Sequence, residues 1–418
     1  MAKAIYKMRK SDIRVSAPSI NNSEMEFTPI EETSSILFGI AGIAGINAQI
    51  TEQIINNRPY SSFKNFYEKN SFEGTLVTKS KMIQLIKAGC FDEFEPDRIK
   101  VMKQYVVLST PKKEKVTTAN LPEILRMKIQ IPSTLISPYK FKKYVCQKKF
   151  FYGNHPNFKS KKLYWLDAKA EKYFRTKMQS SLEENKDYFF EEDMIVLVDK
   201  SIDSLFKEAF NNLKEYINTP EFLKRYNNAL LKDTYNTLVP NKNVNHWSFE
   251  ACSFYSHDNE FVDVDCYAYS ITPFDEIPEE PVFIEKSRGN RTWRQYELYR
   301  IAGVVLDKND NRHTLTILDV NDNVVNCKMN GEFYAFYRQQ ISIEDGDKTR
   351  VVDPSWFKRG QALIITGYRN SESDFRVKTY KNSIYQHQVQ KITNITENGE
   401  LEIQSYRYGY EPEDEQNG

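Results

Sequence analysis

The chain has 418 residues, 40% hydrophobic and 28% charged, a composition that suits folded domains and a length that suits two to four of them. Lys plus Arg number 58 against 57 Asp plus Glu, a formal charge of +1; this excludes a uniformly basic nucleic-acid coat and a polyacidic disordered chain, but not a local basic face. No run approaches about 18 apolar residues, Met1–Lys10 lacks the apolar core of a signal peptide, and Cys90, Cys146, Cys252, Cys266 and Cys327 form no CxxC pair, so a cytoplasmic chain with reduced thiols and no membrane partner is expected.

In chain order, residues 1–30 read as extended, with a short strand near Ile13–Val15 and punctuation at Pro18 and Pro29. Residues 31–110 read as compact and helical. Within them Phe38-Gly-Ile-Ala-Gly-Ile-Ala-Gly-Ile-Asn-Ala-Gln-Ile-Thr-Glu-Gln-Ile-Ile55 brings an apolar run to a Gly-rich turn, followed by a helix with Ile46, Ile50 and Ile54 on one side. This is the pattern of a helix-hairpin-helix. Its glycines let the backbone approach a phosphate, and the first N–H groups of the second helix point at it. Such a contact touches only the nucleic-acid backbone. The competing reading is a Gly-rich packing turn. A second unit, Leu76 to Phe94, ends its helix at Gly89, and its Lys79 and Lys81 are candidate phosphate contacts.

Residues 111–135 read as a linker, with Pro111, Pro122, Pro132 and the run Lys112-Lys113-Glu114-Lys115. Residues 136–285 form a mixed middle region. From Tyr139 to Lys177 it holds twelve basic and two acidic side chains, among them Lys140, Lys142, Lys143, Lys148, Lys149, Lys159, Lys161 and Lys162. The interleaved rings, such as Phe141, Tyr144, Tyr164, Tyr173 and Phe174, offer stacking surfaces beside phosphate-neutralising charge. Inside lies Gln147-Lys-Lys-Phe-Phe151, a short pattern of the sliding-clamp ligand type, with Gln147, Phe150 and Phe151 as the contacts. Leu205, Phe206, Phe210, Leu213 and Ile217 share one helical face and read as core. Residues 246–285 carry strand-like runs, including Asp263-Val-Asp265, read as a polar-edged strand. Residues 286–390 alternate with period two around Gly and Asn turns and read as a five-stranded OB-fold barrel, with strands at Tyr299–Leu306, Thr314–Asp319, Val324–Lys328, Gln361–Gly367 and Phe375–Thr379. Residues 391–418 read as an extension ending in a fraying acidic tail from Glu411.

The run Ile13–Met102 resembles the tandem helix-hairpin-helix region of the C-family replicative DNA polymerases, typified by the polymerase III alpha subunit. The matching pieces are Ile20-Asn-Asn-Ser-Glu-Met-Glu-Phe27, Phe38-Gly39 with the hairpin at Gly45, Arg58-Pro-Tyr-Ser-Ser-Phe63 and Leu85-Ile-Lys-Ala-Gly-Cys-Phe-Asp92. The family's hairpin usually reads Lys-Gly-Val-Gly; here it is Ala44-Gly45-Ile46-Asn47, so one phosphate charge is missing. Glu250, Phe254, Tyr255 and His257 resemble the segment before the family's OB domain, with His257 structural rather than chemical.

The resemblance implies an α+β multidomain chain: a helical helix-hairpin-helix domain over 1–110, a basic middle and a C-terminal OB-fold. It implies primer–template duplex at Gly42, Gly45 and Asn47, and single-stranded template near Arg300, Lys328, Tyr334, Tyr337, Arg369 and Arg376. The family's palm carboxylates and Gly-Ser nucleotide loop are not in this sequence. No catalytic residue, metal ligand or cofactor is therefore assigned to the chain, and Mg²⁺ is expected in a separate N-terminal catalytic chain. A stand-alone single-strand-binding protein and a clamp or replisome adaptor are the alternatives.

Overall fold

The structure is a computed structural model that describes residues 4–5, 7–8, 11–30, 33–147, 149–150, 162–191, 193–240, 243–256, 258–345, 348–381, 383–396 and 398–409. The chain divides into two units, Met1–Met102 with Asn241–Gly418, and Lys103–Pro240. Among the described residues no helix is long and apolar enough to cross a membrane.

The first unit opens with three short strands, β1 (Arg14–Ser16), β2 (Thr28–Ile30) and β3 (Ser35–Leu37), in the order β1-β3-β2. Helices α1 (Ala48–Asn56), α2 (Phe63–Asn70) and α3 (Lys79–Ala88) follow, and α4 (Arg98–Ser109) starts in this unit and runs on into the residues of the second. Each of the first three buries a stripe at helical spacing: Ile50 and Ile54, Phe63 and Phe66, Met82, Leu85 and Ile86. Fully burying one such side chain contributes about 1.5–3 kcal/mol. Gly89 ends α3 in the left-handed region at φ +89. A Cβ there would lie 2.2 Å from Arg98 Nη2, so both conformation and space require glycine.

The second unit contains α5 (Leu121–Arg126), α6 (Ser133–Gln147), β4 (Lys149–Phe150), β5 (Leu163–Leu166), α7 (Ala168–Lys177), β6 (Tyr188–Glu191), β7 (Met194–Val198), α8 (Asp199–Tyr216) and α9 (Pro220–Leu238). Its antiparallel sheet runs β4-β5-β7-β6. The expected linker at 111–135 is instead part of this unit. Val116, Leu121 and Ile124 are buried with Ile129, Ile136, Leu213, Ile217, Phe222 and Tyr226. Asn218 clamps the extended segment, accepting from Val116 N–H at 2.9 Å and donating to its carbonyl at 2.8 Å. The prolines and lysines hid a few anchoring apolar residues. The stripe on α8 is core, as expected, and serves two clusters: Ile202 and Phe206 pack with Phe141 and Phe174, whereas Leu213 packs with Ile124 and Phe222.

The chain returns to the first unit at α10 (Val244–Cys252), a helix followed by turns where strands were expected over 246–285. Next comes a two-stranded ribbon, β8 (Phe283–Arg288) and β9 (Arg291–Tyr296). The barrel consists of β10 (Tyr299–Asn309), β11 (Thr314–Asp319), β12 (Val324–Lys328), α11 (Gly331–Arg338), the hairpin β13 (Ile341–Asp345) and β14 (Lys348–Asp353), β15 (Ala362–Arg369) and β16 (Asp374–Val377). β10, β11 and β12 pair in sequence, β12 runs parallel to β16, β16 pairs with β15, and β15 closes on β10. This closed five-stranded barrel, with a helix between its third and fourth strands, is the expected OB-fold. β17 (Val389–Ile395) and β18 (Leu401–Gln404) continue the sheet from β15. The tail from 410 lies outside the described residues.

Alternation along the barrel strands sorts two cores. Ile301, Val305, Ile317, Val325, Leu363, Ile365 and Phe375 fill the interior under Tyr334 and Tyr337 of α11. Ala302, Val304, Leu318 and Ile364 face outward onto Phe249, Tyr255 and Ile271. Buried Asp319 ties the barrel to the turn before the ribbon. Its carboxylate accepts from the N–H groups of Phe274 (2.9 Å), Asn321 (3.0 Å) and Asn323 (2.7 Å) and from Asn323 Nδ2 (3.1 Å).

Candidate nucleic-acid interface

The hairpin turns through a 3-10 turn at Ile40–Gly42 and then through Gly45, whose φ is +76. Asn47 caps α1, its side chain accepting from Ile50 N–H at 3.0 Å. Ile43, Ile46, Ile50 and Ile54 are buried, whereas Ala44, Gly45, Asn47, Ala48 and Gln49 are exposed. The isoleucines hold the turn down while the first N–H groups of α1, which have no place in the helix's own ladder, stay at the surface. Gly42 is half-buried in the 3-10 turn, its N–H donating to Gly39 O at 3.1 Å.

A cation sits over this turn. A Cβ on Gly45 would lie 2.7 Å from Lys81 Nζ. Lys81 belongs to the first turn of α3, so the second helical unit brings an ammonium to the first unit's hairpin, where position 44 carries alanine. Lys79, at the start of α3, is exposed. Both lysines were legible as candidates; their relation to Gly45 was not, because 36 residues separate the pair.

α10 forms the wall behind the hairpin. Ala44 N–H donates to Ala251 O at 2.8 Å, and Phe38 stacks on Phe254 with centroids 5.0 Å apart. Lys87 Nζ lies 2.7 Å from Glu250 Oε2. Buried Arg98 donates to Asp92 at 2.6 Å, to Lys87 O at 3.1 Å and to Ser248 Oγ at 2.6 Å. Arg58 Nε donates to Ile20 O at 2.8 Å, while Asn21 and the Tyr60 backbone bond reciprocally at 2.9 Å. The quoted motif pieces are therefore pins that fix the hairpin. Burial pushes the Cys252 thiol up to about 12 and the Cys90 thiol well above its usual range, which makes neither a nucleophile at neutral pH. Tyr255 donates to Glu260 at 2.9 Å, and His246 Nδ1 lies 3.3 Å from the same carboxylate. His257 lies outside the described residues.

In the basic stretch, Lys140, Lys143 and Lys162 are exposed, and Lys142 pairs with Asp203. The rings expected as stacking surfaces are mostly core. Phe141, Tyr164 and Phe174 are buried, Tyr173 stacks on Phe141 at 4.6 Å, and Tyr144 bonds Asp167. Helical and strand periodicity turns them inward, which leaves the lysines outside. Lys148, Phe151, Lys159 and Lys161 lie outside the described residues, as do the side chains of Gln147, Lys149 and Phe150. The backbone at Lys149 and Phe150 pairs with Tyr164 and Leu163.

On the barrel the expected contacts divide. Lys328 is exposed and Arg376 half-buried; they sit side by side in the β12–β16 register, with Tyr368 next in line on β15. Arg369 is enclosed, donating to Ile277 O at 2.8 Å and Ser371 O at 3.1 Å. Arg300 donates to Tyr269 O at 2.8 Å and Gln390 Oε1 at 2.7 Å. Tyr334 and Tyr337 are buried in the barrel core. These four residues serve the fold, because their donors and rings are spent inside the protein.

Asp263 and Asp265 lie on turns rather than a strand, and Asp265 accepts from Ala268 N–H at 3.2 Å. Among the described residues no three His, Cys, Asp or Glu side chains converge to hold a metal, so this pair does not fit the clustered carboxylates of a two-metal site.

Residues 12–101 match the helix-hairpin-helix motif family. The chain is 32% identical over 413 residues to a protein named "Probable DNA polymerase YorL" in Bacillus subtilis (strain 168), and equally to the DNA-directed DNA polymerase of Bacillus phage SPbeta; these alignments cover 97% of this chain and 31% of each relative. The DNA polymerase III subunit alpha of Chlamydia muridarum is 30% identical over 125 residues, 28% of this chain and 10% of that one. The chain thus spans about a third of the length of the first two relatives. With a helix-hairpin-helix and an OB barrel in one chain, these matches support the resemblance to a segment of the C-family DNA polymerases that carries those two modules.

Proposed function

We propose that this segment grips primer–template DNA for a replicative polymerase. The hairpin holds a backbone phosphate of the duplex, the exposed lysines of the second unit follow the backbone, and the barrel near Lys328 and Arg376 lies on single-stranded template. Catalysis belongs to a separate palm-containing chain with its Mg²⁺, and a sliding clamp at residues 147–151 is a further partner. The observation that carries the reading is Lys81 Nζ over Gly45 at the exposed start of α1. It unites a backbone without a Cβ, first-turn N–H groups and a cation at one point.

The test is fluorescence anisotropy of labelled primer–template and of single-stranded DNA across a salt series. Tighter, steeply salt-dependent binding to primer–template is expected. Preference for single strands would favour a stand-alone single-strand-binding protein, and binding to neither at low salt would overturn a DNA-gripping role. One observation favours an adaptor instead: a groove of about 680 Å³ in the second unit, lined by Val107, Leu223, Leu230 and Leu231 and edged by Lys112, Lys113 and Lys224. An adaptor would bind a protein partner there and show little DNA affinity.

A further inference from the structure

The ribbon β8–β9 is not needed by either barrel core, yet it carries an unusual surface. Every residue of β8 is exposed, as are the first four of β9. Directly paired residues of an antiparallel ribbon share a face, and successive residues alternate. The pairs Phe283–Tyr296, Glu285–Arg294 and Ser287–Thr292 therefore make one face, and Ile284–Gln295, Lys286–Trp293 and Arg288–Arg291 the other.

The first face is satisfied within the protein. Arg294 pairs with Glu285 at 3.8 Å and lies 4.4 Å from the Phe283 ring centroid. Tyr296 stacks on Tyr368 of the barrel, 4.1 Å apart with planes 6° from parallel, and its N–H donates to Tyr380 Oη at 2.8 Å. That contact anchors the ribbon to β15.

The second face is the opposite case. Lys286, Arg288 and Arg291 have no carboxylate partner among the described residues. Arg288 faces Arg291 directly across the two-residue turn at Gly289, a like-charge pair that weakens an isolated hairpin. Trp293 is 44% exposed and Ile284 59%. An arrangement that costs the free hairpin stability suits an anion bound between the arginines. An indole beside three such cations suits a polyanion that also has flat apolar faces.

We infer that this face of the ribbon binds single-stranded DNA, with Lys286, Arg288 and Arg291 on phosphates and Trp293 stacked on an unpaired base. The inference rests on the DNA-binding reading above and extends it to residues outside both modules. A duplex satisfies the phosphate contacts but hides its base faces, so the exposed indole favours the single strand. Recognition is blind to sequence, because every base has a face to stack on.

The test uses the full chain, labelled oligothymidylate and blunt duplex of equal length. Trp247 and Trp356 are fully buried and Trp165 is partly buried, so the part of any quenching of tryptophan emission by oligothymidylate that disappears in Trp293→Phe reports on Trp293. Trp293→Ala should weaken oligothymidylate binding roughly tenfold, whereas Trp293→Phe should restore affinity but not the quenching. Arg288→Ala with Arg291→Ala should lower the salt slope by about 1.4. Unchanged thermal melting would show that the variants fold. Wild-type binding to oligothymidylate that all three variants match would overturn the ribbon site alone. So would binding to primer–template with none to oligothymidylate, which leaves the hairpin reading standing. Binding to no DNA would overturn both. Variants that alter only self-association would assign the face to a second copy and overturn the inference.

Discussion

Lys81→Ala removes the cation over the hairpin and leaves the backbone turn intact. Neutralising one fewer phosphate lowers the slope of log K against log salt by about 0.9, which is about eightfold in affinity at 0.1 M salt and about threefold at 0.3 M. Gly45→Ala acts on the same point from the other side. It puts an alanine at φ +76, a strain of about 1–2 kcal/mol, and places a Cβ 2.7 Å from Lys81 Nζ. That contact must push the ammonium away, so Gly45→Ala should lose most of the affinity that Lys81→Ala loses. The double variant should then bind little worse than either single one. The measurement is anisotropy of primer–template over a salt series, with urea unfolding as the control for the strain. An unchanged slope in Lys81→Ala, or strictly additive losses in the double variant, would refute a shared phosphate site at Gly45 and Lys81.

Asp319→Asn should cost about 2–4 kcal/mol in urea unfolding. All four of its partners are donors, so either amide orientation sets an NH₂ group against two of them; a loss under about 1 kcal/mol would contradict this. Arg369→Met should destabilise the barrel by a similar amount, about 2–4 kcal/mol, by stripping partners from carbonyls, while leaving the DNA salt slope unchanged. A lowered slope would make Arg369 a contact after all. Burial works against a charged His246, but the hydrogen bond and charge of Glu260 outweigh it and raise the ring above its usual value. A raised folded value stabilises below the unfolded one and loses that stabilisation as pH rises through it. Unfolding free energy should therefore fall as pH rises above about 6.5, and His246→Gln should flatten that fall; an equal fall in the variant would rule the pair out as its source.

The two modules were legible because their signals are local. A left-handed glycine with isoleucines at helical spacing marks the hairpin, and period-two alternation marks the five barrel strands. Side-chain direction was less legible. Arg300 and Arg369 read like phosphate contacts because a guanidinium has the same letter whether it meets water or a carbonyl. Phe141 and Phe174 read like stacking platforms because lysines flank them in sequence, although the fold turns the two residue types to opposite sides. The ribbon β8–β9 escaped notice since neither of its faces is buried, so it lacks the hydrophobic pattern by which strands are found. The helix at Leu121–Arg126 escaped because Pro122 sits in its first turn and Pro111 and Pro132 flank it.

The wall behind the hairpin has a consequence in time. Residues 12–101 carry the helix-hairpin-helix signature, but Ala44 bonds Ala251 and Phe38 stacks on Phe254. During synthesis the hairpin must wait for more than 140 residues to follow it, roughly 7 to 30 s at typical elongation rates. Meanwhile Phe38 lacks its partner ring and Lys87 its carboxylate. The second unit, Lys103–Pro240, is made entirely within that interval. It can fold from its own contacts while the segment that preceded it is still unfinished, so the unit that begins second is the first one to settle.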